Sequence, residues 1–122
     1  MTTARVLLVD DEVEFLEPMA ARLARRGFEC TSASSGAQAL AALDRAAFDC
    51  AIVDVRMPDI DGLELLRRVR RTWPKMSVIL LTGHASIELG VQGMELGAFE
   101  YLLKPVEIDE LVDTVLRATR PR

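Results

Sequence analysis

Residues 48–75 read FDCAIVDVRMPDIDGLELLRRVRRTWPK, and the spacing of their apolar residues changes midway. Cys50–Asp54 is an unbroken apolar run closed by an acid. A run without alternation suits a strand covered on both faces, as in a parallel sheet. From about Leu63 to Thr72 the apolar positions return at helical spacing, Leu63, Leu66 and Val69, with Arg70 continuing the turn. Pro74 forbids much extension. Between the two lies MPDIDG, where Asp59 and Asp61 read as turn residues and Gly62 as permissive backbone. A buried strand passing through a short turn into a helix is the repeating unit of α/β proteins.

The same alternation extends in both directions. Apolar runs recur at Arg5–Val9 and Val78–Leu81, with more polar strand candidates at Glu29–Ala33 and Glu100–Leu103. A first helix is expected over about Glu12–Arg26, burying Phe15, Leu16, Met19, Ala20 and Leu23, with Gly27 as its stop. A second is expected over about Gly36–Ala46, where Ser35 and Gln38 fit a capping box and Ala39, Leu40 and Leu43 form the stripe. A fourth runs over about Ser86–Leu96. It carries Gly90 and Gly93, each costing about 1 kcal/mol relative to Ala, and so reads as a candidate for movement. The last spans about Ile108–Thr119, with Ile108, Leu111, Val112, Val115 and Leu116 inward. Five β-α pairs predict an α/β fold, a doubly wound parallel sheet with five helices and right-handed crossovers.

The 122 residues suit one domain, 1–122, with a core of about 4–119 and a basic tail or linker stump at 120–122. Half the residues are apolar, enough for a core without staples. The net charge of −4 argues against direct nucleic-acid contact. Cys30 and Cys50 have neither CxxC spacing nor nearby histidines, and read as small hydrophobes in a reducing compartment. No apolar run approaches the ~18 residues that cross a bilayer, and the N-terminal stretch lacks signal-peptide form. No membrane association and a cytoplasmic location are therefore expected. Trp73 reads as a packing residue rather than a nucleic-acid platform.

In open α/β sheets, ligands bind at the carboxyl ends of the strands. The residues there are Asp10 and Asp11, Asp54, Thr82 and Gly83, then Lys104 and Pro105. Carboxylates of this kind hold Mg2+ (or Mn2+), a hard ion that prefers oxygen. Asp11 and Asp54 are the expected direct ligands, with Asp10 acting through water. A carboxylate is also a nucleophile that forms acyl phosphates, and Asp54 is the best placed. The metal and Lys104 would neutralise phosphoryl oxygens, and Thr82 would donate a hydrogen bond to one.

Four stretches, LLVDDE, IVDVRMPDIDGLELLRRVR, VILLTGHAS and GAFEYLLKP, fall in the order and spacing of one family. Over essentially its whole length the chain resembles the receiver domain of bacterial two-component response regulators. The resemblance implies a flavodoxin-like five-stranded sheet in the order 2-1-3-4-5. It implies Mg2+-dependent phosphoryl transfer to Asp54 from a histidine kinase or phosphotransfer protein. It makes Asp10 and Asp11 the acidic pair and the backbone carbonyl of Arg56 a metal ligand. Thr82 becomes the switch hydroxyl, Tyr101 the switch aromatic, Lys104 the phosphate-binding lysine, and Pro105 the residue after a cis bond. Phosphorylation would draw Thr82 inward, let Tyr101 follow, and reshape the face of the fourth helix, fifth strand and fifth helix, where a partner or second copy binds. The stretch from Gly83 to Pro105 is similar to receivers fused to sigma-54-type activators, which points to transcription as the output.

The chain reads as a regulatory acceptor, not an enzyme, with at most slow self-phosphorylation and autodephosphorylation. Two other readings compete. A Mg2+-dependent phosphohydrolase would want a carboxylate two residues past the nucleophile, where Arg56 stands. A receiver-like interaction module without phosphorylation would not need every site residue that is present. GxxxxGK[ST] and GxGxxG are both absent. Glu12 reads as a first-turn acid favoured by the helix N-terminus rather than as a ligand. His84 reads as a solvated loop residue rather than a ligand or base. For the Arg56 side chain two readings stand: a cation aimed at the site mouth, or an exposed residue without a role.

Overall fold

The computed structural model describes residues 3–120. Pro121 and Arg122, part of the expected tail, lie outside the described residues, as do Met1 and Thr2. The strands are β1 (Arg5–Val9), β2 (Glu29–Ala33), β3 (Cys50–Asp54), β4 (Ser77–Thr82) and β5 (Glu100–Leu103). The helices are α1 (Val13–Arg25), α2 (Gly36–Arg45), α3 (Gly62–Thr72), α4 (Ile87–Glu95) and α5 (Ile108–Thr119), with a 3₁₀ turn over His84–Ser86 before α4. All strand pairs are parallel, and the order is β2-β1-β3-β4-β5.

The central strands carry apolar residues on both faces, and each face has its own core. Leu7, Val9, Ala51, Val53, Val78 and Leu80 pack against α2, α3 and α4. Val6, Leu8, Cys50, Ile52, Ile79 and Leu81 pack against α1 and α5. Each Val, Leu or Ile among them, fully buried, stabilises the fold by about 1.5–3 kcal/mol. The more polar strands lie at the two edges of the sheet, where one side of the ladder is open. Cys50 is buried and Cys30 half-buried, and desolvation pushes their thiols up to about 12 and about 11.

One helix differs from the sequence expectation, and a second shows what its glycines are for. In α5, Leu116 faces outward and is 52% exposed, while Thr114 is buried with Leu111 and Val115. Thr114 tolerates burial because its hydroxyl donates to the Glu110 carbonyl and hides its polarity within the helix. In α4, the glycines serve packing. A Cβ on Gly90 would lie 2.8 Å from the Tyr101 ring, and one on Gly93 would lie 2.1 Å from Leu80. Their propensity cost is the condition for laying this helix close against β4 and β5.

The turns do more than reverse the chain. Ser35 accepts from the Gln38 N–H as a cap, and the Gln38 amide oxygen accepts from Ser34 rather than Ser35. Asp59, read as a turn residue, accepts from the Gly36 and Ala37 N–H groups, both at 3.0 Å. It thereby caps α2 from another loop, and those bonds hold its carboxyl below the usual range. Asp61 caps α3 through the Leu63 N–H. Trp73 ends α3 and packs against the core.

Candidate functional site

Register alone brings the site together. Val9 pairs with Val53, so Asp10 and Asp54 emerge side by side. Asp54 pairs with Leu81, and Thr82 with Leu103. The Lys104 N–H then bonds to the Thr82 carbonyl at 2.8 Å. Asp10, Asp54, Thr82 and Lys104 thus share one rim. The α3 side of that rim is held close by Gly62, whose Cβ would lie 2.6 Å from the Asp54 carbonyl oxygen.

Lys104 is the hub. Its ammonium lies 2.6 Å from Asp10 Oδ2, 3.0 Å from Glu12 Oε1 and 3.5 Å from Asp54 Oδ2. It also sits over the Phe15 ring, 4.7 Å from the centroid. Burial alone would lower this ammonium, but the Asp10 and Glu12 carboxylates outweigh burial and leave it above its ordinary value. Asp10 is fully buried, and its Oδ1 accepts from the Glu12 N–H at 2.8 Å. Its Oδ2 touches the ammonium as an ion pair without an aligned hydrogen bond.

Asp54 is also buried, with Oδ1 accepting from the Arg56 N–H at 3.2 Å. Desolvation pushes its carboxyl up to about 6. Lys104 opposes that rise, while Asp10 and Asp11 add to it. One carboxylate oxygen from each of Asp10, Glu12 and Asp54 lies within 4.8 Å of the others. Three carboxylates against one ammonium leave a net negative charge. The all-oxygen donor set and its excess negative charge fit a hard divalent cation.

Other expected residues fall around this centre. Asp11 is half-buried and outside the three-carboxylate group, acting on Asp54 as a nearby like charge. Glu12 departs from its expected part: it is the N-cap position of α1, but its carboxylate turns to Lys104 instead of the helix. Thr82 is fully buried, and its Oγ1 has no hydrogen-bond partner among the described residues. Tyr101 is half-buried, its ring lying where α4 lacks a side chain at Gly90, beside the Thr82 methyl. The Lys104–Pro105 bond is cis. His84 is exposed in the 3₁₀ turn. Arg56 is exposed but occupied, its Nε donating to the Ser86 hydroxyl.

The sequence reading missed Glu12 as the partner of Lys104, Phe15 as its floor, and Ser86 as the partner of Arg56. Phe15 follows Glu12 at i, i+3, the spacing of one helical face, and was readable on that ground. Nothing local marks Ser86.

Comparison with known proteins adds four findings. A family model described as the response regulator receiver domain matches residues 6–116. The chain is 38% identical over 121 residues to the transcriptional regulatory protein GlrR of Escherichia coli (strain K12), covering 97% of this chain and 27% of that protein. It is 39% identical over 113 residues to the DNA-binding transcriptional regulator NtrC of the same organism, covering 93% of this chain and 24% of that one. It therefore spans about a quarter of the length of these relatives. Among solved structures, a response regulator receiver domain protein from Clostridium thermocellum superposes with a TM-score of 0.91 at 35% identity, covering 95% of this chain and 94% of that one.

Proposed function

The chain belongs to the response regulator receiver family, and from that premise we propose that it is a phosphoacceptor switch. Asp54 takes a phosphoryl group from the histidine of a kinase or phosphotransfer protein. One carboxylate oxygen of Asp54 bonds to phosphorus as the P–N bond breaks, and the imidazole leaves with a proton. The observation that carries this reading is the convergence of Asp54, Asp10, Glu12 and Lys104 at the carboxyl ends of the strands.

Asp10, Asp11 and Asp54, with the Arg56 backbone carbonyl, would hold Mg2+ (or Mn2+), and Glu12 is close enough to join them. Such an ion supplies neutralisation of phosphoryl oxygens. Lys104 contributes a second positive charge to the transferring group. Thr82 Oγ1, buried without a partner, is a free donor for a phosphoryl oxygen. As Thr82 turns toward that oxygen its methyl leaves the wall it shares with Tyr101 and Gly90, and the ring follows. The shift biases an equilibrium that already exists, and α4 and β5 carry it outward.

The outward face fits a partner or a second copy. Ile87, Val91 and Met94 on α4, Leu103 on β5 and Leu116 on α5 are all exposed apolar side chains. That accounts for the outward turn of Leu116. The output is transcription, by likeness to GlrR and NtrC. The domain works in the cytoplasm as a regulatory acceptor and turns over no substrate of its own beyond slow loss of its phosphoryl group. Among the described residues, no helix is long and apolar enough to cross a membrane.

The test is intact mass after incubation with acetyl phosphate, with and without Mg2+, for the wild type and Asp54→Asn. The expected result is a Mg2+-dependent gain of one phosphoryl group that the variant lacks. No gain, or an equal gain in the variant, overturns the assignment.

A further inference from the structure

Ser86 occupies the N-cap position of α4, yet its side chain makes no capping bond. Serine is favoured there because its oxygen accepts from one of the first free helix amides. Here the hydroxyl is buried, 3% exposed, and accepts from Arg56 Nε. The Arg56 backbone N–H meanwhile donates to Asp54 Oδ1. One residue therefore joins the acid at the tip of β3 to the first turn of α4. Ser86 has φ −122° and ψ 17°, away from extended cap geometry, and its N–H is held by the Gly83 carbonyl in the 3₁₀ turn.

We infer that the Ser86 hydroxyl has two alternative partners, Arg56 and the first turn of α4, and that a phosphoryl group on Asp54 decides between them. The second half of this inference rests on the phosphoacceptor reading. A guanidinium gains more from anionic phosphoryl oxygens than from a neutral hydroxyl, because both partners then carry charge and the planar fork can bind two oxygens at once. Arg56 lies two residues from the anion, so it exchanges Ser86 for the phosphoryl group. The freed hydroxyl then accepts from the Glu88 or Leu89 N–H and caps α4. Arg56 is thus a positioning residue that keeps α4 uncapped in the resting protein.

The test is hydrogen exchange at the Glu88 and Leu89 amides of the whole chain. It compares wild type, Arg56→Ala and Ser86→Ala, each with and without acetyl phosphate and Mg2+, with intact mass read in parallel. Arg56→Ala without phosphate is expected to slow exchange at one of these amides about fivefold, the worth of a serine cap. Phosphorylated wild type should show the same slowing. Ser86→Ala should still take up the phosphoryl group while losing both responses. A merely structural bond would give the opposite sign, faster exchange in Arg56→Ala, and that result overturns the inference. So does slowing that survives in Ser86→Ala. If no phosphoryl group is taken up, the phosphoacceptor reading and the second half fall together, and the Arg56→Ala arm still decides the first half.

Discussion

The two ends of this sheet handle polar groups in opposite ways. At the amino ends of the strands, Asp49 accepts from the Arg5 N–H at 2.8 Å and the Ser77 hydroxyl donates to the Ala118 carbonyl at 2.8 Å. Arg70 donates to the Pro74 and Met76 carbonyls, closing the α3–β4 turn. At the carboxyl ends, three carboxylates share Lys104, Asp54 is pushed up to about 6, and Thr82 Oγ1 has no partner. A cavity of about 760 Å³ opens at the amino end, between Phe48, Trp73 and Met76, far from the acids. Size therefore does not mark the chemistry here; an excess of negative charge and an unpaired hydroxyl do. Groups that only hold the fold are paired, and groups left unpaired inside a fold are available to a ligand.

The largest expected effect comes from removing the hub. Lys104→Ala leaves buried carboxylates without their cation and should destabilise the metal-free protein by about 3–5 kcal/mol at pH 8. Urea unfolding measures this, and Mg2+ should restore part of the loss. Equal stability of variant and wild type would erase the contrast between the two ends.

Asp54 gives the next effect, with a definite sign. Its folded carboxyl titrates near 6, above the ordinary 3.8. Its contribution is therefore full below about 4 and is lost as pH rises through about 6. Metal-free Asp54→Asn should match the wild type at pH 4 and exceed it by about 2 kcal/mol at pH 8, after allowance for screening at the rim. A difference that shrinks as pH rises would mean that Lys104 dominates Asp54 instead.

Gly90→Ala should cost about 1–2 kcal/mol, because the new methyl meets the Tyr101 ring. Tyr101 is the chain's single tyrosine, so fluorotyrosine NMR reads its displacement alone. Gly83→Ala, with nothing within 4 Å of the added carbon, is the control and should leave that resonance in place. The smallest effect belongs to the settled end. Ser77→Ala should cost about 1 kcal/mol and leave phosphoryl uptake untouched.

Much of this was legible in the sequence, for identifiable reasons. Cys50–Asp54 and Arg5–Val9 announce themselves because a strand covered on both faces is apolar along its middle and keeps its charges at its ends. The acids that close those runs are legible for the same reason: a charge at the end of a buried strand stands out. The strand order came from resemblance, since local spacing carries no information about which strands are neighbours. What stayed hidden depends on tertiary approach. Glu12 reads as a helix-start acid until Lys104, 92 residues away, is brought to it. Gly90 and Gly93 read as weakness because propensity is local, whereas the Tyr101 and Leu80 side chains that need their space are not. Leu116 belongs to the apolar stripe of α5 and faces outward all the same.

The two thiols have a practical consequence. At about 11 and about 12 they are almost wholly protonated near neutrality, on the order of one in 10,000 or less as thiolate. Thiolate is the form that alkylates and oxidises. The chain therefore arrives with a silent chemical background. A cysteine introduced at an exposed position such as Val91 would be the one fast-reacting handle, and a dye attached there could follow α4 without any native residue being removed.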